Sequence, residues 1–161
     1  MHAFQSLCYL LLAVSAAAAP LNDALNQSET PALEVRDKTL VCKNTGGNIE
    51  ISQNKAEGNI HAAPATKGGT KSGYPHEYKN LADGDKKNIV WPNKNCNAKD
   101  VTLLEFPVFK DGHLFEYDQK KPADKTKIGP VRGVFTYPHK DFCGVMAHTE
   151  KDNKGNFALC Q

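Results

Sequence analysis

The stretch Val101-Thr102-Leu103-Leu104-Glu105-Phe106-Pro107-Val108-Phe109 has the β-branched, aromatic and aliphatic residues of a strand buried in a core. One carboxylate, Glu105, stands in the middle of it. An ionised carboxylate among apolar neighbours is costly unless something pairs with it, so the rest of the chain has to supply a partner. Successive side chains along a strand point to opposite faces. Leu104, Phe106 and Val108 therefore share one face, and Glu105 belongs to the other.

The same test applies to the strands that follow. In Val131-Arg132-Gly133-Val134-Phe135, Arg132 opposes Val131 and Phe135. In Cys143-Gly144-Val145-Met146-Ala147-His148, His148 opposes Cys143, Val145 and Ala147. Upstream, Gly73-Tyr74-Pro75-His76-Glu77-Tyr78 reads as an edge strand, because Pro75 cannot donate a ladder hydrogen bond. Tyr74 and His76 share a face there. Each residue alone has an ordinary reading: a satisfied core histidine, a snorkelling arginine, a salt-bridged glutamate. Their common parity on separate strands is what sets them apart, since apolar faces packed on a helix leave Glu105, Arg132 and His148 together on the open face.

Around these strands the remaining elements fall into place. Leu40 to Asn44 and Asn48 to Ser52 flank Thr45-Gly46-Gly47, a hairpin signal. Asn54, with Glu57 three residues on, reads as the capped start of a short helix that ends before Pro64. Asn80 to Lys99 is a long, lysine-containing connection, and connections of that length are usually functional. Gln119 to Lys127 is a second basic loop, and Asn156 to Cys160 is a short closing strand. The fold class is α+β: a twisted antiparallel sheet of about five strands packed on one short helix, with an N-terminal β-hairpin and long basic loops.

The chain begins with an apolar run, Leu7 to Val14, followed by small residues to Ala19, so residues 1–19 read as a secretory signal. Residues 20–36 are polar, lack aromatics and end in Leu33-Glu34-Val35-Arg36, where Arg36 marks the end of a propeptide. Residues 37–161 then form one domain, expected to act as a monomer outside the cell that makes it. The full chain has a formal net charge of +2, and losing Asp23, Glu29 and Glu34 with Arg36 makes the remainder more basic. That bias is compatible with a polyanionic partner. Cys8 leaves with the signal, and Cys42, Cys96, Cys143 and Cys160 make an even set in a secreted chain, so two disulfides are expected, with three pairings open. No Cys-x-x-Cys pair or clustered histidine set points to zinc, and no metal or cofactor is expected.

A carboxylate, an arginine and one or two histidines suit metal-free phosphodiester transfer. A base takes the proton of a ribose 2′-hydroxyl, an acid protonates the departing 5′-oxygen, and a fixed cation holds the phosphoryl oxygens. Only RNA carries that hydroxyl.

The ordered pieces Gln53-Asn54-Lys55-Ala56-Glu57, Tyr74-Pro75-His76, Leu103-Leu104-Glu105-Phe106-Pro107 and Asp111-Gly112-His113 make the chain resemble a known family. Lys120-Lys121-Pro122, Gly129-Pro130-Val131-Arg132, Thr136-Tyr137-Pro138 and Phe142 to Thr149 continue the series. The likeness is to the secreted guanyl-specific fungal ribonucleases, and within them to the fungal ribotoxins of the α-sarcin, restrictocin and hirsutellin A type. The resemblance implies that Glu105 is the general base and His148 the general acid, with Arg132 on the transferring phosphate. It implies that His76, beside Tyr74, supports the phosphate and shares the base role, and that Phe157 lies against it. Asn80 and Asp83 match the guanine-reading loop, with Leu81-Ala82 where a tyrosine often stands. Lys120 and Lys121 match RNA contacts, and Lys86, Lys87, Lys94 and Lys99 keep the long loop basic. The implied disulfides are Cys42–Cys160 and Cys96–Cys143.

Ribotoxins cut one bond in the sarcin–ricin loop of large-subunit ribosomal RNA through a 2′,3′-cyclic phosphate and stop translation, crossing membranes by way of acidic phospholipids. That activity, on ribosomes in the cytosol of a target cell, is what the resemblance implies here. A general guanyl-specific secreted ribonuclease is the alternative from the same chemistry. A non-catalytic effector binding RNA or a host protein on the same scaffold is a third reading, disfavoured because all four ionisable positions are intact.

Overall fold

The computed structural model describes residues 37–81 and 88–161. The expected signal and propeptide, and Asp83, Lys86 and Lys87, lie outside the described residues.

Strands β1 (Thr39–Cys42) and β2 (Ile49–Ser52) form the N-terminal hairpin, antiparallel with Cys42 opposite Ile49. The free side of β1 pairs with the chain's end: Val41 N–H donates to the Gln161 carbonyl at 2.7 Å, and Gln161 N–H returns a bond to Val41. The Cys42–Cys160 disulfide locks the same junction. Helix α1 (Gln53–Ala62) follows β2 directly. Its cap is Ser52, whose hydroxyl accepts from Lys55 N–H at 3.0 Å, rather than Asn54. Asn54 is already inside the first turn, and its N–H is satisfied by the Asp37 carboxylate. The helix stops before Pro64, as expected, and the Lys140 ammonium reaches across to the carbonyls of His61 and Ala63.

The main sheet has five strands in sequential order, all antiparallel: β3 (His76–Tyr78), β4 (Thr102–Pro107), β5 (Val131–Tyr137), β6 (Phe142–Glu150) and β7 (Lys154–Leu159). Its apolar face meets the helix, where Ala56 and Ile60 pack among Leu104, Phe106, Val131, Phe135, Val145 and Ala147. Gly133 makes that approach possible: a Cβ there would lie 2.8 Å from Ile60 Cδ1. Gly133→Ala is therefore expected to lose about 1–3 kcal/mol, the usual cost of overpacking a close-packed interior, read as a lowered denaturation midpoint with unchanged slope. A midpoint equal to the wild type's would show that Ile60 can give way.

The opposite face is only half open. Ile89, Trp91 and Cys96 from the long connection pack on Leu103, Val134, Cys143 and Met146, making a second core. Cys143 therefore does not share the helix-side face with Val145 and Ala147, as strict alternation requires. The reason is a β-bulge: Phe135 pairs with Phe142 and Val134 with Gly144, leaving Cys143 as the extra residue, turned toward Cys96. Gly144, at φ +147, lets Trp91 close over the bulge. The disulfide Cys96–Cys143 thus pins the long loop across one half of the face and leaves the other half as a cleft.

Candidate active site

Register places the ionisable residues side by side. Glu105 on β4 lies opposite His76 on β3 and Val134 on β5; Arg132 lies opposite Met146, and His148 opposite Phe157. Each points away from the helix, as alternation predicts. Together with Tyr74, Lys121, Lys125, Ile128 and Asn153 they line an open cleft of about 300 Å³.

Glu105 is 6% exposed and Arg132 4% exposed, so both charges are nearly buried at the floor. The Glu105 carboxylate lies 2.8 Å from His76 Nε2 and 3.9 Å from Arg132 Nε. The His76 ring also faces the Gly73 carbonyl through Nδ1 and packs 4.4 Å from the Tyr74 ring.

Arg132 donates twice through one terminal nitrogen, to the carbonyls of Gly129 at 2.7 Å and Val131 at 2.8 Å. Its Nε–H is buried with no hydrogen-bond partner among the described residues. A buried guanidinium donor left without an acceptor is costly, and an anion in the cleft would satisfy it. The Tyr74 ring lies under two cations, with Lys121 Nζ at 4.8 Å and the Arg132 guanidinium at 5.6 Å. Burial first, opposed by Arg132 and assisted by Glu105, raises the Tyr74 phenol above its ordinary value, so it stays a neutral donor.

His148 is held by its ring on both sides. Nδ1 lies 3.0 Å from the Gly155 carbonyl, which can only accept, so the proton on Nδ1 is fixed there and Nε2 faces the cleft. The Phe157 ring packs 4.0 Å from it. Burial pushes the His148 pKa below the ordinary histidine value; the Gly155 bond opposes this, the Arg132 charge adds to it and Glu105 opposes it weakly.

The sequence-based candidates divide by location. His76, Glu105, Arg132, His148, Tyr74, Phe157 and Lys121 all meet in the cleft. Lys120 is exposed on the neighbouring loop and is not among the residues lining it. Asn80 lies beside the site but its side chain is engaged: Nδ2 donates to the Ile89 carbonyl at 2.6 Å and Oδ1 accepts from Ile89 N–H at 2.8 Å. Those two bonds tie Asn80 to Ile89 across the long connection. Four residues were missed. Tyr78 continues the Tyr74–His76 parity and packs on Trp91 and Phe157, its phenol raised to about 12 by burial and then by Glu105. Lys125 and Ile128 lie in a 3-10 turn capped by Asp124, and Asn153 holds the Lys125 carbonyl at 2.5 Å. Parity could have found Tyr78; only the meeting of two distant loops produces the other three.

Residues 39–161 match the ribonuclease family. Ribonuclease α-sarcin of Aspergillus giganteus is 41% identical over 155 residues, covering 80% of this chain and 86% of that protein. Ribonuclease clavin of Aspergillus clavatus is 40% identical over the same length and with the same coverage. The crystal structure of the Aspergillus ribotoxin restrictocin superimposes with a TM-score of 0.67 at 37% identity, covering 77% of this chain and 99% of restrictocin. Restrictocin has also been solved in complex with a 29-mer sarcin/ricin domain RNA analogue, and that structure matches with a TM-score of 0.63 at 34% identity over the same shares. The family match over most of the chain, these identities and the shared fold agree: the chain belongs to the ribonuclease family, among the fungal ribotoxins.

Proposed function

We propose that this protein is a secreted ribotoxin that cleaves one phosphodiester in the sarcin–ricin loop of large-subunit ribosomal RNA and so inhibits translation. The observation that carries the reading is one cleft in which Glu105, His76 and His148 meet Arg132, whose buried Nε–H has no partner among the described residues. Glu105, with His76 sharing the role, removes the 2′-hydroxyl proton. The oxygen attacks the adjacent phosphorus, the P–O5′ bond breaks, and His148 donates its Nε2 proton to the departing oxygen, leaving a 2′,3′-cyclic phosphate. Arg132 and the Tyr74 phenol hold the charge that builds on the phosphoryl oxygens.

Beside the cleft, Tyr78, Lys79, Leu81, Gly155, Asn156 and Phe157 line a pocket of about 260 Å³ that shares His148 with it. This pocket is the seat for the base 5′ to the cut, read by backbone groups around Asn80; Asp83, the other residue matched to the guanine-reading loop, lies outside the described residues. Lys120, Lys121 and Lys125 steer the RNA strand along the other rim. The enzyme works as an exported monomer, reaching ribosomes across a membrane whose acidic lipids its basic surface favours. No described helix is long and apolar enough to cross that membrane.

The deciding experiment incubates the domain of residues 37–161 with intact ribosomes and with naked RNA in the presence of a chelator. One discrete large-subunit fragment at low protein concentration is the expected result. General degradation of both substrates would make it an unrestricted guanyl-specific ribonuclease, and intact RNA in both would leave only a binding role.

A further inference from the structure

The β6–β7 ladder is interrupted immediately after the candidate acid: the register shifts between His148 and Glu150. The carbonyls of His148, Thr149 and Glu150 all find donors on the N-terminal hairpin, more than a hundred residues away in sequence. Asn44 Nδ2 donates to His148 O at 2.8 Å and to Glu150 O at 2.9 Å, and Thr45 N–H donates to Thr149 O at 2.9 Å. The orientation of the Asn44 amide is fixed by chemistry, since carbonyls accept only and Gly46 N–H donates to Asn44 Oδ1 at 2.7 Å. One side chain thus closes its own turn and clasps the backbone of the acid.

We propose that Asn44, at the tip of the β1–β2 hairpin, is a positioning residue for His148 that sets how well the acid delivers its proton to the leaving oxygen. The other restraints on His148 leave this one necessary. Its N–H is tied to Pro130 O at 3.0 Å, and its ring is tied to Gly155. Gly155 itself lies on the far limb of the same bulge, at φ +73, with Thr149 and Glu150 closely packed where a Cβ would go. If the carbonyls of His148 and Glu150 lose their donors, the bulge can shift as a unit and carry the ring with it. An error of that kind in a reacting group is worth up to about a hundredfold in rate. The opposite end of the site, Glu105 with His76, has no contact with the hairpin in this network, so base function is left untouched.

This inference rests on the ribonuclease reading, and its test separates the two. Asn44→Ala and Asn44→Asp are compared with the wild type on two substrates: a guanylyl dinucleotide, whose leaving alkoxide needs an acid, and a nitrophenyl ester of guanosine 3′-phosphate, whose leaving group does not. Asn44→Asp keeps the acceptor for Gly46 and so preserves the turn if the alanine variant unfolds. Both variants are expected to lose roughly ten- to a hundredfold in kcat on the dinucleotide with KM little changed, and to cleave the ester at the wild-type rate. In a His148→Gln background, Asn44→Ala should add no further loss on the dinucleotide. Equal losses on both substrates, a loss confined to KM, or an undiminished additional loss in the His148→Gln background would each overturn the proposal. A wild-type protein that cleaves neither substrate would overturn the ribonuclease reading itself, and the clasp with it.

Discussion

Replacing Glu105 with Gln is expected to lower kcat on a guanylyl dinucleotide by about a thousandfold, within the range that general-base catalysis supplies. The substitution keeps the shape of the side chain and an oxygen for His76 Nε2, now 2.8 Å away, but removes the negative charge and the basic lone pair. His76 lies 2.8 Å from the same carboxylate and is itself 39% exposed, so its neutral imidazole can take up part of the base role and set the residual rate. The fold should persist, because the helix-side core of Leu104 and Phe106 is untouched. Binding of a 2′-deoxy dinucleotide, which cannot react, should stay within a few-fold of wild type. Cleavage by Glu105→Gln within tenfold of the wild-type rate would move the base assignment to His76.

The second large effect concerns His148. His148→Gln is expected to lower kcat on the same dinucleotide by about a thousandfold or more, since an alkoxide leaves poorly without a proton. The pH dependence gives the sign. An acid works only in its protonated form, and burial holds the His148 pKa below its ordinary value of 6.5. The wild-type kcat/KM should therefore fall as pH rises through a midpoint below 6.5. A phosphate anion bound beside the ring favours its charged form, so the corresponding limb of kcat should lie at higher pH. His148→Gln should lack this limb altogether. Stability runs the other way: because the folded pKa is depressed, His148 contributes stability above its unfolded value and loses it as pH falls through the folded one. The protein thus gains its acid at the pH where that residue begins to oppose the fold. A His148→Gln enzyme that keeps the wild-type alkaline limb would assign the acid elsewhere.

Both expectations lean on an economy of the fold. Glu105 and Arg132 sit in strands whose other face is the hydrophobic core, so the residues that build the core also aim the chemistry. The cost of burying two charges is partly offset because Glu105 lies 2.8 Å from His76 and 3.9 Å from Arg132, and one terminal nitrogen of Arg132 donates to two carbonyls. The long connection covers part of the same face through Ile89, Trp91 and Cys96, which pack on Leu103, Val134, Cys143 and Met146.

The amino-acid sequence by itself determined the strands, the single helix and the face on which Glu105, Arg132 and His148 stand. Period-two alternation is a local property, and three of the strands carry it plainly. It also carried the likeness to the ribotoxins, because the matching segments lie in those strands, in the first turns of the helix and in the loops between them. Alternation failed at Cys143, since a bulge inserts a residue whose existence depends on pairing with β5. Ser52 displaced Asn54 as the helix cap because β2 runs straight into α1 with no intervening loop. Register decided the rest. That His76 meets Glu105 at 2.8 Å, that Asn153 holds Lys125, and that Asn44 grips the carbonyl of His148 are long-range pairings. No single segment encodes them; they exist only once the strands have aligned and the loops between them have been brought to the same edge of the sheet.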